Sequence, residues 1–261
     1  MMKPVLKYPG AKNRLSEWIC SLIPEHEVYL EPYFGSGAVF FNKPQARIET
    51  INDLDESVVN FFRVIREQPD KFMEQLKLTP YARKEYEYAF INFQKDDEIE
   101  KARKFAIRCW MGFGCSNRYQ NGFRTSQQSS SPTTTKQWND FISVIPYVTQ
   151  RLQNAQIECR PAIQLLEMYN TEDVFIYLDP PYVPEIRKKY QYVHEATYQD
   201  HVELLEVIVN HPGRILISGY ECDLYKQMLK NWNWESRITR AERGIQRREF
   251  VWGNYELRAA K

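Results

Sequence analysis

Val174-Phe-Ile-Tyr-Leu178 is an unbroken apolar run closed by Asp179-Pro180-Pro181-Tyr182. A short strand with no polar alternation is buried on both faces, which places it inside a parallel sheet covered by helices on both sides. Two prolines then stop it abruptly, because each lacks a backbone N–H and fixes φ. With residue frequencies near 5%, a specified tetrapeptide of this kind appears by chance in roughly one chain of this length per thousand. In such sheets ligands bind outside the carboxyl ends of the strands, so this turn is the first candidate for chemistry.

The rest of the chain supplies the units such a sheet needs. A helical pattern around Leu15, Trp18, Ile19 and Leu22 stops at Pro24. Val28–Glu31 reads as a strand, and Gly35-Ser-Gly-Ala-Val-Phe-Phe41 as a turn entering a helix. Ile48–Ile51 reads as a second strand, and Asp55–Glu67 carries Val58, Val59, Phe61, Phe62 and Ile65 at helical spacing. From about Pro69 to Arg151 the strand signal disappears and helices are expected over Tyr81–Phe93, Glu98–Met111 and Gln137–Leu152. The alternation then resumes: strands at Gln156–Cys159, Val174–Leu178 and Arg214–Ser218, helices at Ile163–Tyr169, Thr197–Val209 and Leu224–Asn231. Trp234–Arg240 and Phe250–Leu257 close the sheet, at least one of them antiparallel. One α/β sheet with a helical insertion is the expected architecture.

Composition narrows the functional classes. The 261 residues hold 35 Lys and Arg against 34 Asp and Glu, a net charge of +1, with 43% hydrophobic residues. That is ordinary for a folded domain and too apolar for a disordered chain. No apolar stretch approaches the roughly 20 residues that span a bilayer, and no signal peptide is expected at the basic N-terminus. Five cysteines without a CxxC pair and four scattered histidines favour neither a disulfide framework nor a metal site, so reduced thiols in the cytoplasm are expected.

The near-neutral total conceals an uneven distribution. From Lys101 to Asn139 there is no Asp or Glu, while Lys101, Arg103, Lys104, Arg108, Arg118, Arg124 and Lys136 fall in that stretch. Its middle is rich in Ser, Thr, Asn and Gln and carries Tyr119 and Phe123. Basic groups neutralise phosphates, amides read base edges and aromatics stack, so a nucleic-acid surface is one reading and a solvated loop beside a basic helix the other. A second basic segment, Arg237–Arg248, reads as a charged sheet edge or loop.

At these residues the chain resembles the Dam-type, D12 class adenine-specific DNA methyltransferases. Lys7-Tyr8-Pro9-Gly10-Ala11-Lys12 is similar to the family's N-terminal cofactor motif, Glu31-Pro32-Tyr33-Phe34-Gly35-Ser36-Gly37 to its glycine turn, and Asn52-Asp53-Leu54-Asp55 to its ribose-binding turn. Asp179-Pro180-Pro181-Tyr182 matches the catalytic motif, and the motifs stand in the family's order. The resemblance implies a doubly wound class I S-adenosylmethionine-dependent sheet, with residues 1–65 and 152–261 catalytic and 66–151 an inserted helical target-recognition domain. It implies S-adenosylmethionine as methyl donor, S-adenosylhomocysteine as product, no metal, double-stranded DNA as partner and a monomer. The cofactor would lie on Tyr8, Pro9, Gly10, Lys12, Glu31, Pro32, Phe34, Gly35, Ser36, Gly37, Asp53 and Asp179, with Asp179, Pro180 and Tyr182 catalytic. Asn117-Arg-Tyr-Gln-Asn-Gly-Phe-Arg124 resembles the family's DNA-contacting loop, which implies Asn117, Arg118, Tyr119, Asn121 and Arg124 as DNA contacts. Lys188, in the basic run Arg187–Tyr190, is added to them.

Two departures stand out. Tyr8-Pro9 replaces the commoner Trp-Ala, and Arg160-Pro161-Ala162-Ile163 stands where an acidic or small polar residue often meets the cofactor adenine, so no residue is assigned to that edge. Methylation of cytosine N4 poses the same chemical problem to the same carboxylate and is the neighbouring alternative. A non-catalytic DNA-binding subunit of the same fold is the alternative from another class.

Overall fold

The computed structural model describes residues 2–91, 93–115, 119–127, 132–186, 192–240 and 246–257. Strands β1 (Val28–Glu31), β2 (Ile48–Asn52), β3 (Ala155–Glu158), β4 (Val174–Leu178), β5 (Arg214–Gly219), β6 (Asn233–Arg240) and β7 (Gln246–Gly253) form one sheet in the order β3-β2-β1-β4-β5-β7-β6. The first five are parallel; β7 runs antiparallel to β5 and to β6. The double burial expected of Val174–Leu178 is met, with β4 at the centre between β1 and β5.

Alternation along β4 divides its side chains between two cores. Phe175 and Tyr177 join Tyr29, Ile51, Leu216 and Val251 on one face. Val174, Ile176 and Leu178 join Leu30, Ile215, Ile217 and Trp252 on the other. The second face is covered by α7 (Ala162–Met168), α8 (Tyr198–Val209) and α9 (Asp223–Met228) through Leu165, Leu205, Ile208 and Tyr225. The first face is covered by α1 (Ser16–Ser21), α2 (Glu56–Glu67), α3 (Pro69–Leu78), α5 (Glu98–Met111) and α6 (Thr134–Leu152), whose Phe61, Phe72, Phe105, Trp110 and Phe141 belong to the same core as the strand residues. The helices between β2 and β3 therefore share a core with the sheet. Between α3 and α5 lies the short α4 (Arg83–Tyr88).

Local chemistry explains where several helices start. Asp55 caps α2 by accepting from Ser57 N, Asp97 caps α5 through Glu100 N, and Thr197 and Asp200 close a reciprocal capping box on α8.

Three expectations need correction. The segment after Gly37 is not a helix: Phe41 N reaches Gly37 O at 3.0 Å and Lys43 N reaches Val39 O at 3.0 Å, and then Pro44 ends the turns. The helix expected over Tyr81–Phe93 is confined to α4, and Pro69–Leu78, left without an element, is α3 with proline in its first turn. Nor is the helical region wholly without strand pairing, since Gly112 and Phe123 form an antiparallel bridge. Of the basic segment near the C-terminus, Arg237 lies on the edge strand β6, while Arg247 and Arg248 lie on β7, which is flanked by β5 and β6.

Candidate functional site

The carboxyl ends of β1, β2 and β4 converge on a cavity of about 270 Å³. Its walls bring together Tyr8, Pro9, Gly10, Lys12, Glu31, Pro32, Phe34, Gly35, Ser36, Asp53 and Asp179, segments far apart in the chain. Gly37 is not on the wall. Its φ is +66°, and a Cβ there would stand 2.5 Å from both the Phe34 and Phe41 rings, so this glycine serves the packing beneath the turn. Gly35, at φ +48°, is on the wall, and a Cβ would come within 3.1 Å of the Tyr8 ring. Its backbone N–H donates to Asp53 Oδ2 at 2.7 Å, while Asp53 Oδ1 accepts from Asp55 N at 2.9 Å. The glycine turn and the acidic turn are thus locked to one another.

Burial raises the Asp53 carboxyl to about 7, against the lowering effect of those two N–H groups. Glu31, buried on the same wall and accepting from Tyr29 OH at 2.7 Å, is pushed up to about 8 by burial. The cavity therefore holds two carboxyls whose charge changes near neutrality, as expected of groups kept dry until a ligand supplies donors.

At the mouth of β4, Asp179 Oδ1 accepts from Lys12 Nζ at 2.5 Å and from Ser218 Oγ at 2.9 Å. Ser218 comes from the neighbouring β5, and its Oγ lies 3.0 Å from the Tyr177 hydroxyl. Lys12 is only 4% exposed and also donates to Gly10 O and to Tyr182 OH, both at 3.1 Å. Burial alone would lower its pKa; the Asp179 and Glu249 carboxylates outweigh that and hold the ammonium well above the ordinary lysine value. Tyr182 OH donates to Glu249 on β7, 3.3 Å from each carboxylate oxygen, and its ring stacks on Tyr220 with centroids 4.2 Å apart. Lys12 thus faces the turn after β4 as well as the cavity.

The residues suggested as DNA contacts divide differently. Asn117, Arg118 and Lys188 lie outside the described residues. Tyr119 is 50% exposed, Asn121 is exposed and Arg124 half-buried. Their loop is held by its backbone: Phe113 N donates to Gly122 O and Arg124 N to Met111 O, both at 2.8 Å. Tyr81 OH donates to Arg124 O at 2.9 Å and Tyr86 OH to Asn121 O at 3.0 Å, with the Phe123 ring packed against both tyrosines. Part of the acid-free stretch has another use. Arg103 pairs with Glu85 and Glu100, the buried Lys104 pairs with Asp96, and Arg108 donates to Ala89 O.

Sequence reading missed Ser218, Glu249, Tyr220 and the supporting pair Tyr81 and Tyr86. Only Glu249 left a signal, a carboxylate abutting the apolar run Phe250-Val251-Trp252. Arg160, Pro161, Ala162 and Ile163, given no role from sequence, line the cavity, as do Leu54, Tyr192 and His194.

The family model of the D12 class N6 adenine-specific DNA methyltransferases matches residues 8–243. The chain belongs to that family. It is 24% identical to a type II methyltransferase of Lactococcus lactis subsp. cremoris, over 89% of this chain and 86% of that one. With the type II methyltransferase M.MjaIII of Methanocaldococcus jannaschii it shares 23% identity over 98% of each chain. A DNA adenine methylase of Vibrio cholerae is 27% identical over 69% of this chain and 65% of its own length. Among the described residues no helix is long and apolar enough to cross a membrane.

Proposed function

We propose that this D12 family DNA adenine methyltransferase transfers a methyl group from S-adenosylmethionine to N6 of an adenine turned out of double-stranded DNA, acting as a monomer with a class I methyltransferase sheet. The observation that carries the reading is the placement of Asp179 at the mouth of the cavity, with both hydrogen bonds it accepts falling on Oδ1.

The cavity fits the cofactor by the chemistry of its donors and its shape. Asp53, fixed by Gly35 and Asp55, would take ribose hydroxyls. Leu54, Pro161 and Ile163 offer an apolar slot for the adenine ring, and the buried Glu31 a partner for the amino-acid ammonium. Tyr8 closes the wall above Gly35. Bound S-adenosylmethionine supplies a methyl group activated on a sulfonium.

The residues of the chain then have to make adenine N6 a nucleophile. Its lone pair is delocalised into the ring. Asp179 Oδ2 and the Pro180 carbonyl accept the two N6 hydrogens, which favours a pyramidal nitrogen and aims the lone pair out of the ring plane. Proline at 180 offers a carbonyl at fixed φ with no competing N–H. Tyr182 stacks on the base, an interaction of about 1–3 kcal/mol. The base leaves the helix to reach this pocket, as for other enzymes that modify bases. Direct displacement needs no covalent intermediate, so positioning and charge placement carry the acceleration.

Residues 66–151 are assigned target recognition and residues 1–65 and 152–261 catalysis. The loop bearing Tyr119, Asn121 and Arg124 is the readout element: its backbone is tied to Tyr81 and Tyr86, and Tyr119 and Asn121 are exposed. Two measurements test this. Calorimetry with S-adenosylhomocysteine should give one site per chain, weakened by Asp53→Ala; no binding would overturn the cofactor assignment. Affinity for duplex DNA should fall linearly with log salt, and a flat response would overturn the loop's role.

A further inference from the structure

β7 enters the sheet antiparallel, and its pairing with β5 ends at Gly219 and Phe250. Glu249 is the next residue, so it overhangs the end of β5 on the side where Asp179 follows β4. It is 2% exposed. A carboxylate costs several kcal/mol to bury unless donors meet it, and here the donors are Lys12 of the N-terminal segment and Tyr182 of the turn after β4. Lys12 Nζ lies 3.4 Å from Oε1, and Tyr182 OH lies 3.3 Å from both oxygens.

Lys12 is thus shared between two carboxylates, at 2.5 Å from Asp179 and 3.4 Å from Glu249. Were Asp179 its only partner, the buried pair would be neutral. Glu249 brings a second acid to that cation; burial and Asp179 raise its carboxyl while Lys12 and the Tyr182 hydroxyl lower it, and in its ionised form the group is net negative. Adenine N6 gains positive charge as it takes up a methyl group, so a preorganised negative group stabilises the transition state more than the ground state. The Tyr182 hydroxyl, held by Glu249 and Lys12 together, fixes the ring on which the base is to stack.

We propose that Glu249 is a positioning residue for methyl transfer: it shares Lys12 with Asp179 and anchors Tyr182, leaving the catalytic group net negative. This rests on the reading of Asp179 as the acceptor of the N6 amine.

The test compares Glu249→Gln, which keeps size and an acceptor for Tyr182 but removes the charge, with Glu249→Asp, which keeps the charge and withdraws it by one methylene. Each is measured for kcat on unmethylated genomic DNA, for S-adenosylhomocysteine and DNA affinity, and for thermal unfolding. The expected order of kcat is wild type, then Glu249→Asp, then Glu249→Gln, with the amide lower than wild type by about tenfold or more and both affinities within about twofold. A purely packing role predicts the reverse order, because glutamine is the closer isostere. That reversal, a wild-type kcat in Glu249→Gln, or a loss shared equally by the affinities would overturn the proposal. Should Glu249→Gln fail to fold, Glu249→Asp decides: reduced kcat with intact binding supports the proposal, and a wild-type kcat overturns it. Asp179→Ala is measured alongside. If it stays active, the reading of the site itself fails; if it is inactive while Glu249→Gln is unimpaired, only the role of Glu249 falls.

Discussion

Among the described residues Asp179 accepts two hydrogen bonds, from Lys12 and Ser218, and its side chain is 18% exposed, whereas Tyr119, on the loop after α5, is 50% exposed. The turn from Asp179 to Tyr182 is held through side chains: Lys12, Ser218, Tyr182 and Glu249 converge from the N-terminal segment, β5, the turn itself and β7. The loop after α5 is held through its backbone, by Tyr81 and Tyr86, and leaves Tyr119 and Asn121 exposed. Chemistry that is the same on every substrate can be built into a packed core. Readout of a base sequence needs side chains that can change without disturbing the fold that presents them.

The difference can be broken at several points. The largest effect is expected for Asp179→Ala, which should cut methyl transfer by about a hundredfold or more and also lower stability, because the buried Lys12 keeps only Glu249 as a carboxylate partner. Radiolabelled methyl incorporation and calorimetry measure the two. Lys12→Met should act on stability as well as rate, since it leaves Asp179 and Glu249 facing one another without their cation. A loss of about 3 kcal/mol in denaturant unfolding is expected. An unchanged midpoint would show that the two carboxylates do not depend on it.

The cofactor side should also respond to pH. A carboxyl raised to about 7, as in Asp53, is protonated below that value and charged above it. Hydroxyl donors bind the charged form, so S-adenosylhomocysteine affinity should weaken by up to about tenfold per unit as pH falls below 7. Glu31, at about 8, acts in the same direction. Asp53→Asn should bind more weakly and lose the step near 7, and a retained step there would assign the titration elsewhere.

On the DNA side, Tyr119→Ala should cost about 1–3 kcal/mol of DNA affinity with cofactor affinity untouched, measured by fluorescence anisotropy. The smallest effect is expected for Tyr81→Phe. Losing the hydrogen bond to the Arg124 carbonyl should lower stability by about 1 kcal/mol and leave binding of S-adenosylhomocysteine unchanged.

The same contrast explains what the sequence made legible. Strand β4 announces itself as an unbroken apolar run and β1 as a nearly apolar one, while β2 carries Glu49 and Thr50 within it; the glycine, acidic and Asp-Pro-Pro-Tyr turns follow the three directly. The residues that surround Asp179 and Tyr182 come from elsewhere. Ser218 lies on β5, and only the pairing of Leu178 with Ile217 brings it beside Asp179. Tyr220 follows the same strand, and the antiparallel entry of β7 brings Glu249 to the turn. No local pattern carries that information. The basic stretch misled in part for the opposite reason: charge counted along the chain does not tell a phosphate contact from a buried pair such as Lys104 and Asp96. The turn after Gly37 failed as a helix because apolar periodicity over Ala38–Phe41 was outweighed by Pro44, which leaves no room to propagate.

The most direct test is to incubate the protein with S-adenosylmethionine and unmethylated genomic DNA, digest the DNA and identify the nucleosides by mass. The account predicts N6-methyladenine with wild-type protein and none with Asp179→Ala. N4-methylcytosine as the product, or N6-methyladenine formed at the wild-type rate by Asp179→Ala, would contradict it.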